Sequence, residues 1–335
     1  MTTCHFSHRS GGTGEVIFYS QPLFGAHLPQ IGRIFTDGEN QMKTVGVVTD
    51  SHSSISPQEA ERLGIFMLPM PFFIDGQCYY EGTTLSRPQF FQALKSGAQV
   101  STSQPTPAEL TALWDKALGQ YDEIVYIPIS SGLSGSCERA LILAQEEPYE
   151  GRVFVVDNGR VSAPQHRSVL DALELAKKGC SASQIRDILD ENRAKFQVYI
   201  AMDTLEFLKR GGRISGAAAA VGGLLNIKPV LQLTVGLLQT YKKCRGFTQA
   251  KKATLEAMKQ ALETEFKAEY EAGDIYLLAA SSSPDDVTAQ WVEEIRAYFP
   301  GMEVLSDPLS LGVCCHIGPD ALGIGCSCKV KAPEG

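Results

Sequence analysis

A short turn rich in serine and glycine contains the residue types in this sequence that are best suited to chemistry. The residues SSGLSG occupy positions 130–135, after an apolar, β-branched run at 123–129 and before a helix-like stretch at 137–144. Such a turn brings hydroxyls and small residues to a helix start, where unpaired N–H groups and the positive end of the dipole attract anions. The turn therefore predicts a cradle for a carboxylate or a phosphate. A serine N-cap with glycines for a tight turn explains the same residues equally well.

Composition limits the class of protein. The chain has 335 residues, of which 44% are hydrophobic and 20% charged, so we expect two domains of an ordinary α/β type. A net charge of -8 argues against a general nucleic-acid binder and allows at most transient membrane contact. We find no membrane-spanning apolar run and no signal-peptide pattern, and the nine scattered cysteines suit reduced thiols. We therefore expect a cytoplasmic protein.

Strands and helices alternate in the first part of the chain, which predicts an N-terminal doubly wound parallel sheet. The predicted strands are residues 43–50, 65–68, 123–129 and 152–157, and the predicted helices are residues 57–63, 86–94, 108–118, 165–178 and 183–195. A hairpin is predicted at 71–80 with its turn at Asp75 and Gly76, and an extended polar loop at 100–107.

The second part mixes the two kinds of element differently, which predicts a C-terminal mixed sheet with helices. The predicted strands are residues 197–202, 228–233, 236–241, 274–280, 303–305 and 321–328, and the predicted helices are residues 204–214, 215–225, 247–268 and 284–298. Residues 311–320 are predicted to be a strand that runs into a glycine-proline loop.

The predicted domains are 43–160, an N-terminal α/β domain, and 161–330, a C-terminal α/β domain with the mixed sheet. We expect a ligand cleft between them. Residues 1–42 lack periodicity and are expected to be a leader or a disordered arm, although a genuine N-terminal arm fits them too.

Seven short motifs occur in the order and spacing seen in the DegV family, and together they span residues 43–328. They are VTDS at 48–51, TSQPT at 102–106, SSGLSG at 130–135, DTLE at 203–206, KRGGRI at 209–214, NIKP at 226–229 and HIGP at 316–319. Each motif alone is weak, whereas their joint order is specific. The sequence thus resembles a DegV protein.

This resemblance implies a function and a site. Proteins of the family are two-domain α/β proteins that carry one long-chain fatty acid between the domains. With a fatty acid kinase they act as its acyl-binding subunit, which presents the carboxyl group for phosphorylation in phospholipid metabolism. The resemblance thus implies a lipid-binding protein that is not itself an enzyme and needs no cofactor, with a fatty acid and the kinase catalytic subunit as partners.

The family motifs also assign residues. The carboxylate is expected to meet Ser131 and Gly132 of the SSGLSG turn and Thr102 or Ser103 of the TSQPT loop, and His316 completes the polar network. Partner or membrane contact is expected at a basic segment, which consists of Lys209, Arg210 and Arg213.

Two stretches depart from the family pattern. Residues 162–168 read SAPQHRS where a small, glycine-rich run is usual, and His52 stands where a small hydroxyl residue is usual. These differences bear on the pocket rim and on acyl preference.

Other interpretations of these residues stay open on the sequence. His316 also fits a surface loop, and the basic segment also fits a solvated helix end that the dipole favours. Cys326 and Cys328 share one face of a strand, but C-x-C matches no common zinc pattern, so free thiols and no metal site are expected.

The alternative function is a serine hydrolase or a phosphotransferase that acts on a small anionic substrate. The nucleophile elbow G-x-S-x-G is absent, and so are a P-loop and clustered magnesium ligands. We therefore expect no catalytic residues in this chain.

Overall fold

The computed structural model describes residues 44–214 and 226–332. The predicted leader at 1–42 and the predicted helix at 215–225 lie outside the described residues. The described elements before residue 195 are β1 (Val45–Asp50), α1 (Pro57–Leu63), β2 (Phe66–Leu68), β3 (Phe72–Ile74), β4 (Gln77–Tyr79), α2 (Arg87–Lys95), β5 (Val100–Thr102), α3 (Pro107–Leu118), β6 (Glu123–Ile127), α4 (Ser136–Leu143), β7 (Val153–Val155), α5 (Ala163–Lys177) and α6 (Ala182–Glu191).

The first sheet is parallel, with the strand order β2-β1-β6-β7. Strands β1 and β6 are almost wholly buried, which requires helices on both faces. Successive side chains on these strands point to opposite faces of the sheet. Val47 and Val125 pack with α5 and α6, whereas Val48 and Ile124 pack with Trp114 of α3. The doubly wound parallel sheet is thus confirmed.

A small second sheet, with the order β4-β3-β5, lies between α1 and α3 in the sequence. The predicted hairpin is present. At its turn, Asp75 and Gly76 have positive φ values of 49° and 82°, which a tight two-residue hairpin turn needs. The predicted extended loop at 100–107 begins as the short strand β5, which pairs with β3.

The remaining described elements are β8 (Phe196–Ala201), α7 (Glu206–Arg210), β9 (Ile227–Thr234), β10 (Leu237–Arg245), α8 (Phe247–Glu263), α9 (Lys267–Glu271), β11 (Ile275–Ser281), α10 (Asp285–Tyr298), β12 (Val304–Pro308), α11 (Leu311–Ile317) and β13 (Leu322–Cys328). The sheet order is β10-β9-β8-β13-β11-β12, and among these pairs β11 with β12 is parallel while the others are antiparallel. The C-terminal mixed sheet with helices is confirmed.

Helices α8 and α10 cover one face of the mixed sheet. Met258 and Trp291 are fully buried there, in one cluster with Ile324. Helix α11 and the small sheet share a different cluster, which contains Phe72, Leu231 and Leu311. The two sides of the mixed sheet thus pack against different partners. The domain boundary at residue 160 stays a prediction.

One predicted strand is wrong. Residues 311–317 form helix α11 rather than a strand, and Ser310 caps that helix by accepting a hydrogen bond from Val313 N. Leu311, Cys314 and Cys315 are buried at helical spacing. Val313 and Ile317 make the apolar run nearly continuous, so the helical periodicity does not stand out from local pattern alone.

Three predicted helices are too long. The one at 247–268 is divided, since α8 ends at Glu263 and a separate short helix, α9, begins at Lys267. Those at 183–195 and 204–214 end at Glu191 and Arg210. Among the described residues, no helix is long and apolar enough to cross a membrane.

Candidate functional site

A cavity of about 300 Å³ lies between the carboxyl ends of the parallel strands and the side of the mixed sheet that α11 covers. Most of its wall is apolar. The apolar side chains in the wall include Ile129, Leu133, Val161, Val198, Ile200, Leu208, Leu233, Leu238, Leu309, Val313 and Ile317. These side chains come from the loops that follow strands of the parallel sheet and from the mixed sheet with its helices, so the cavity exists only when both sheets are in place.

The polar side chains that line the cavity and are at least partly exposed are here called the polar rim. They are Thr102, Ser103, Gln104, Ser134, Arg213 and His316. Thr102 Oγ1 and His316 Nε2 lie 2.9 Å apart, within hydrogen-bond distance, and this contact joins β5 to α11. The structure therefore brings Thr102, Ser103 and His316 together at one end of the cavity.

His316 occupies an environment that disfavours its charged form. Burial lowers the pKa of its imidazole from 6.5 to about 4, and the positive charge of Arg213 and the nearby His52 lower it further in the same direction. Nδ1 of His316 has no hydrogen-bond partner among the described residues. It lies so close to Gly211 that a Cβ there would be 2.1 Å away. His316 is therefore neutral at pH 7 and has an unused polar atom.

The SSGLSG turn contributes to the cavity through its second half. Leu133 and Ser134 line the cavity, whereas Ser131 and Gly132 are not among the described residues of its wall. The Ser131 hydroxyl donates to Asp157 Oδ2 at 2.5 Å, and the Ser131 backbone N donates to Asp157 Oδ1 at 3.1 Å. Gly132 N donates to Ser130 Oγ, and the Gly132 backbone packs against Gly236.

The basic segment is divided between the surface and the cavity. Lys209 and Arg210 are exposed on α7, where Arg210 lies 3.6 Å from Glu206. Arg213 lines the cavity, and it donates hydrogen bonds to the carbonyls of Leu133 and Gly211. Arg213 thus joins the KRGGRI motif to the SSGLSG turn.

The described part of the chain contains no cluster of three or more His, Cys, Asp or Glu side chains that could hold a metal ion. Burial raises the pKa of the Cys314 thiol to about 12 and also raises the pKa values of the Cys315 and Cys326 thiols. These thiols are therefore protonated at neutral pH and are poor nucleophiles.

Sequence reasoning did not assign some polar residues of the cavity wall. Gln104, His52 and Ser162 line the cavity, and the last two are buried. The signal for His52 and Ser162 was their departure from the family pattern, which pointed to the pocket without giving either residue a role.

Comparison with known proteins agrees with this fold. The family model described as "Uncharacterised protein, DegV family" matches residues 44–329. The chain therefore belongs to the DegV family. A DegV domain-containing protein of Deinococcus radiodurans is 33% identical over 282 residues, which cover 84% of this chain and 97% of that protein.

Solved structures of family members are also similar. A structure described as fatty acid binding of a DegV family protein from Thermus thermophilus has a TM-score of 0.74 and 33% identity, and covers 85% of this chain and 99% of that one. DegV of Bacillus subtilis, described as a fatty acid binding protein, has a TM-score of 0.72 and 27% identity, with 86% and 100% covered.

Proposed function

We propose that this protein binds one long-chain fatty acid, with the tail in the cavity and the carboxylate at the polar rim. The observation that carries this proposal is an apolar cavity between two sheets whose polar side chains gather at a rim open to solvent. The similar proteins of Thermus thermophilus and Bacillus subtilis, both described as binding fatty acids, support the same ligand.

The energetics suit a lipid carrier. Burial of each methylene contributes about 0.8 kcal/mol, so roughly fourteen methylenes contribute on the order of 11 kcal/mol before ordering costs. A hydrogen bond to a charged head group adds about 1.5–3 kcal/mol. The tail therefore supplies most of the affinity, and the polar rim sets the position of the carboxyl group.

Thr102, Ser103 and His316 are the proposed first contacts of the carboxylate. Thr102 donates from Oγ1 to the carboxylate, and His316, which is neutral at pH 7, donates from Nε2 to Thr102 Oγ1 and so orients that hydroxyl. The guanidinium of Arg213 adds positive charge on the same side of the cavity.

Ser131 and Gly132 are the proposed contribution of the SSGLSG turn. For Ser131 to reach a carboxylate, its hydroxyl must leave Asp157 Oδ2. Asp157 would keep two donors, which are Ser131 N and the guanidinium of Arg193. A rotated Ser131 therefore leaves Asp157 paired, so the rotation costs little free energy.

We further propose that the bound carboxyl group is presented to a fatty acid kinase, which forms the acyl phosphate. Under this proposal the chain supplies binding and orientation only. The exposed Lys209 and Arg210 lie on the helix that leads to Arg213 of the polar rim, so a partner that docks there would be close to the carboxylate.

The experiment that tests lipid binding is native mass spectrometry of the purified protein, followed by denaturation and identification of the released lipid. We expect one fatty acid for each chain. A protein that is empty, and that takes up neither added oleate nor added palmitate, would contradict the proposal.

A further inference from the structure

The inner part of the cavity wall contains a histidine that the proposed head-group contacts do not use. His52 lines the cavity and is 7% exposed. Its hydrogen bonds within the described residues are made by its backbone, which donates from N to Asp50 Oδ1 and accepts at its carbonyl from Ser162 N. Neither ring nitrogen of His52 has a hydrogen-bond partner in the described part of the chain.

Asp50 determines where the His52 ring carries its proton. Nδ1 of His52 lies 3.4 Å from Asp50 Oδ1. Asp50 is fully buried, and it also accepts hydrogen bonds from Ile129 N and Gln165 Nε2. A carboxylate beside Nδ1 favours the tautomer with the proton on Nδ1, and we assign this tautomer from the geometry. Nε2 is then left as a hydrogen-bond acceptor.

Nε2 of His52 faces helix α11. A Cβ at Gly312 would lie 3.0 Å from this atom, so the absence of a side chain at Gly312 makes room for the ring. Gly312 and His316 are four residues apart on the helix, so they share one face and lie about 6 Å apart along the axis. Gly312 is buried whereas His316 is partly exposed, so Nε2 of His52 is a polar atom that lies deeper in the cavity than the polar rim.

An unsubstituted hydrocarbon tail would be poorly matched to this polar atom. It would remove water from Nε2 without replacing the lost hydrogen bond, and a buried acceptor without a partner weakens binding. A hydroxyl group on the tail would donate to Nε2 and remove that penalty. A keto oxygen has no proton to donate, so it would not remove that penalty.

We propose that His52 selects fatty acids that carry a hydroxyl group on the first few carbons after the carboxyl group, by accepting a hydrogen bond from that hydroxyl at Nε2. This inference rests on the proposed function, since it requires the carboxylate at the polar rim. It goes further by naming the subclass of acid and the residue that recognises it.

The test is a comparison of dissociation constants for palmitate, 3-hydroxypalmitate and 12-hydroxypalmitate, which have the same chain length, measured by calorimetry on the delipidated full-length protein. We expect 3-hydroxypalmitate to bind about 3- to 10-fold more tightly than palmitate, as one neutral hydrogen bond allows. We expect 12-hydroxypalmitate to bind no more tightly than palmitate, because its hydroxyl lies far from the carboxyl end.

Two variants complete the test. His52→Leu keeps similar bulk without the acceptor, and we expect it to bind palmitate and 3-hydroxypalmitate equally. Val161→Ala removes apolar wall atoms and keeps His52, so we expect it to weaken both acids by the same factor. The comparison in the unmodified protein stands even if a variant does not fold.

Each other outcome has one meaning. Equal binding of palmitate and 3-hydroxypalmitate by the unmodified protein would overturn this inference and leave fatty-acid binding intact. A preference that persists in His52→Leu would overturn the role of His52. Failure to bind any of the three acids would overturn the proposed function, and this inference with it.

Discussion

Thr102 Oγ1 and His316 Nε2 lie 2.9 Å apart at the mouth of the cavity, although the two residues are separated by 214 positions in the sequence. Thr102 ends β5 of the small sheet, and His316 lies in the last turn of α11. Their contact closes the wall between these two elements at the place where we propose that the carboxylate binds.

We expect Thr102→Val to weaken fatty-acid binding by about tenfold or more, because a hydrogen bond to a charged group contributes about 1.5–3 kcal/mol. Isothermal titration with oleate measures the change. Ser101→Ala is the matched control, since Ser101 is the exposed neighbour on the same strand and its side chain points to the other face. Equal affinities of the two variants would remove Thr102 from the head-group site.

His316 predicts a pH dependence of stability. The unfolded chain holds the imidazole proton with a pKa near 6.5, whereas in the folded protein that pKa is about 4. The unfolded state therefore binds more protons between these pH values, and this residue lowers the free energy of unfolding as the pH falls from about 6.5 to about 4.

Urea denaturation of the ligand-free protein and of His316→Asn, at several pH values in that window, isolates the contribution of His316. We expect the gap in stability between the two proteins to shift in favour of the variant as the pH falls. A gap that does not change with pH would show that His316 is not shielded as its surroundings indicate.

The hydrogen bond from Ser131 to Asp157 predicts two effects of Ser131→Ala. Asp157 loses its hydroxyl donor, so we expect the free energy of unfolding to fall by about 1–2 kcal/mol. We also expect Ser131→Ala combined with Thr102→Ala to retain less fatty acid than Thr102→Ala alone, as measured by lipid extraction.

Ser134→Ala is the companion variant, because Ser134 lines the cavity and its hydroxyl is hydrogen-bonded to Ser136. If Ser131→Ala costs stability but adds nothing to the loss of lipid, then Ser131 only shapes the turn and Ser134 is the hydroxyl that faces the ligand.

Charge reversal on α7 tests partner docking. We expect Lys209→Glu with Arg210→Glu to lower acyl phosphate formation with a cognate fatty acid kinase by about tenfold, because an acidic docking face that these two cations would attract would repel carboxylates in their place. Fatty-acid affinity is expected to stay the same, since neither residue is in the described cavity wall.

The control for docking reverses Lys252 and Lys259, which are exposed on α8. A loss of activity as large as that of the α7 variant would indicate a general charge effect. An equal loss of fatty-acid binding and of acyl phosphate formation in the α7 variant would argue against a separate partner surface.

The sequence by itself determined the two sheet types and the positions of most elements. Strand β6 is a continuous apolar run and Asp75-Gly76 is a specific turn signal, so local pattern was sufficient for both. Motif order also led to the family, and to Thr102, Ser103 and His316 as residues of one site.

Tertiary structure decided what local pattern could not. Local pattern predicts a strand where the structure has helix α11, because the burial of this segment comes from contacts with Phe72 and Leu231, which are far away in the sequence. Spacing along the chain does not show that Ser131 faces Asp157 while Ser134 faces the cavity, because both lie in one short turn. The cavity and the buried position of His52 within it depend on how two sheets pack, and periodicity within a single element does not encode that packing.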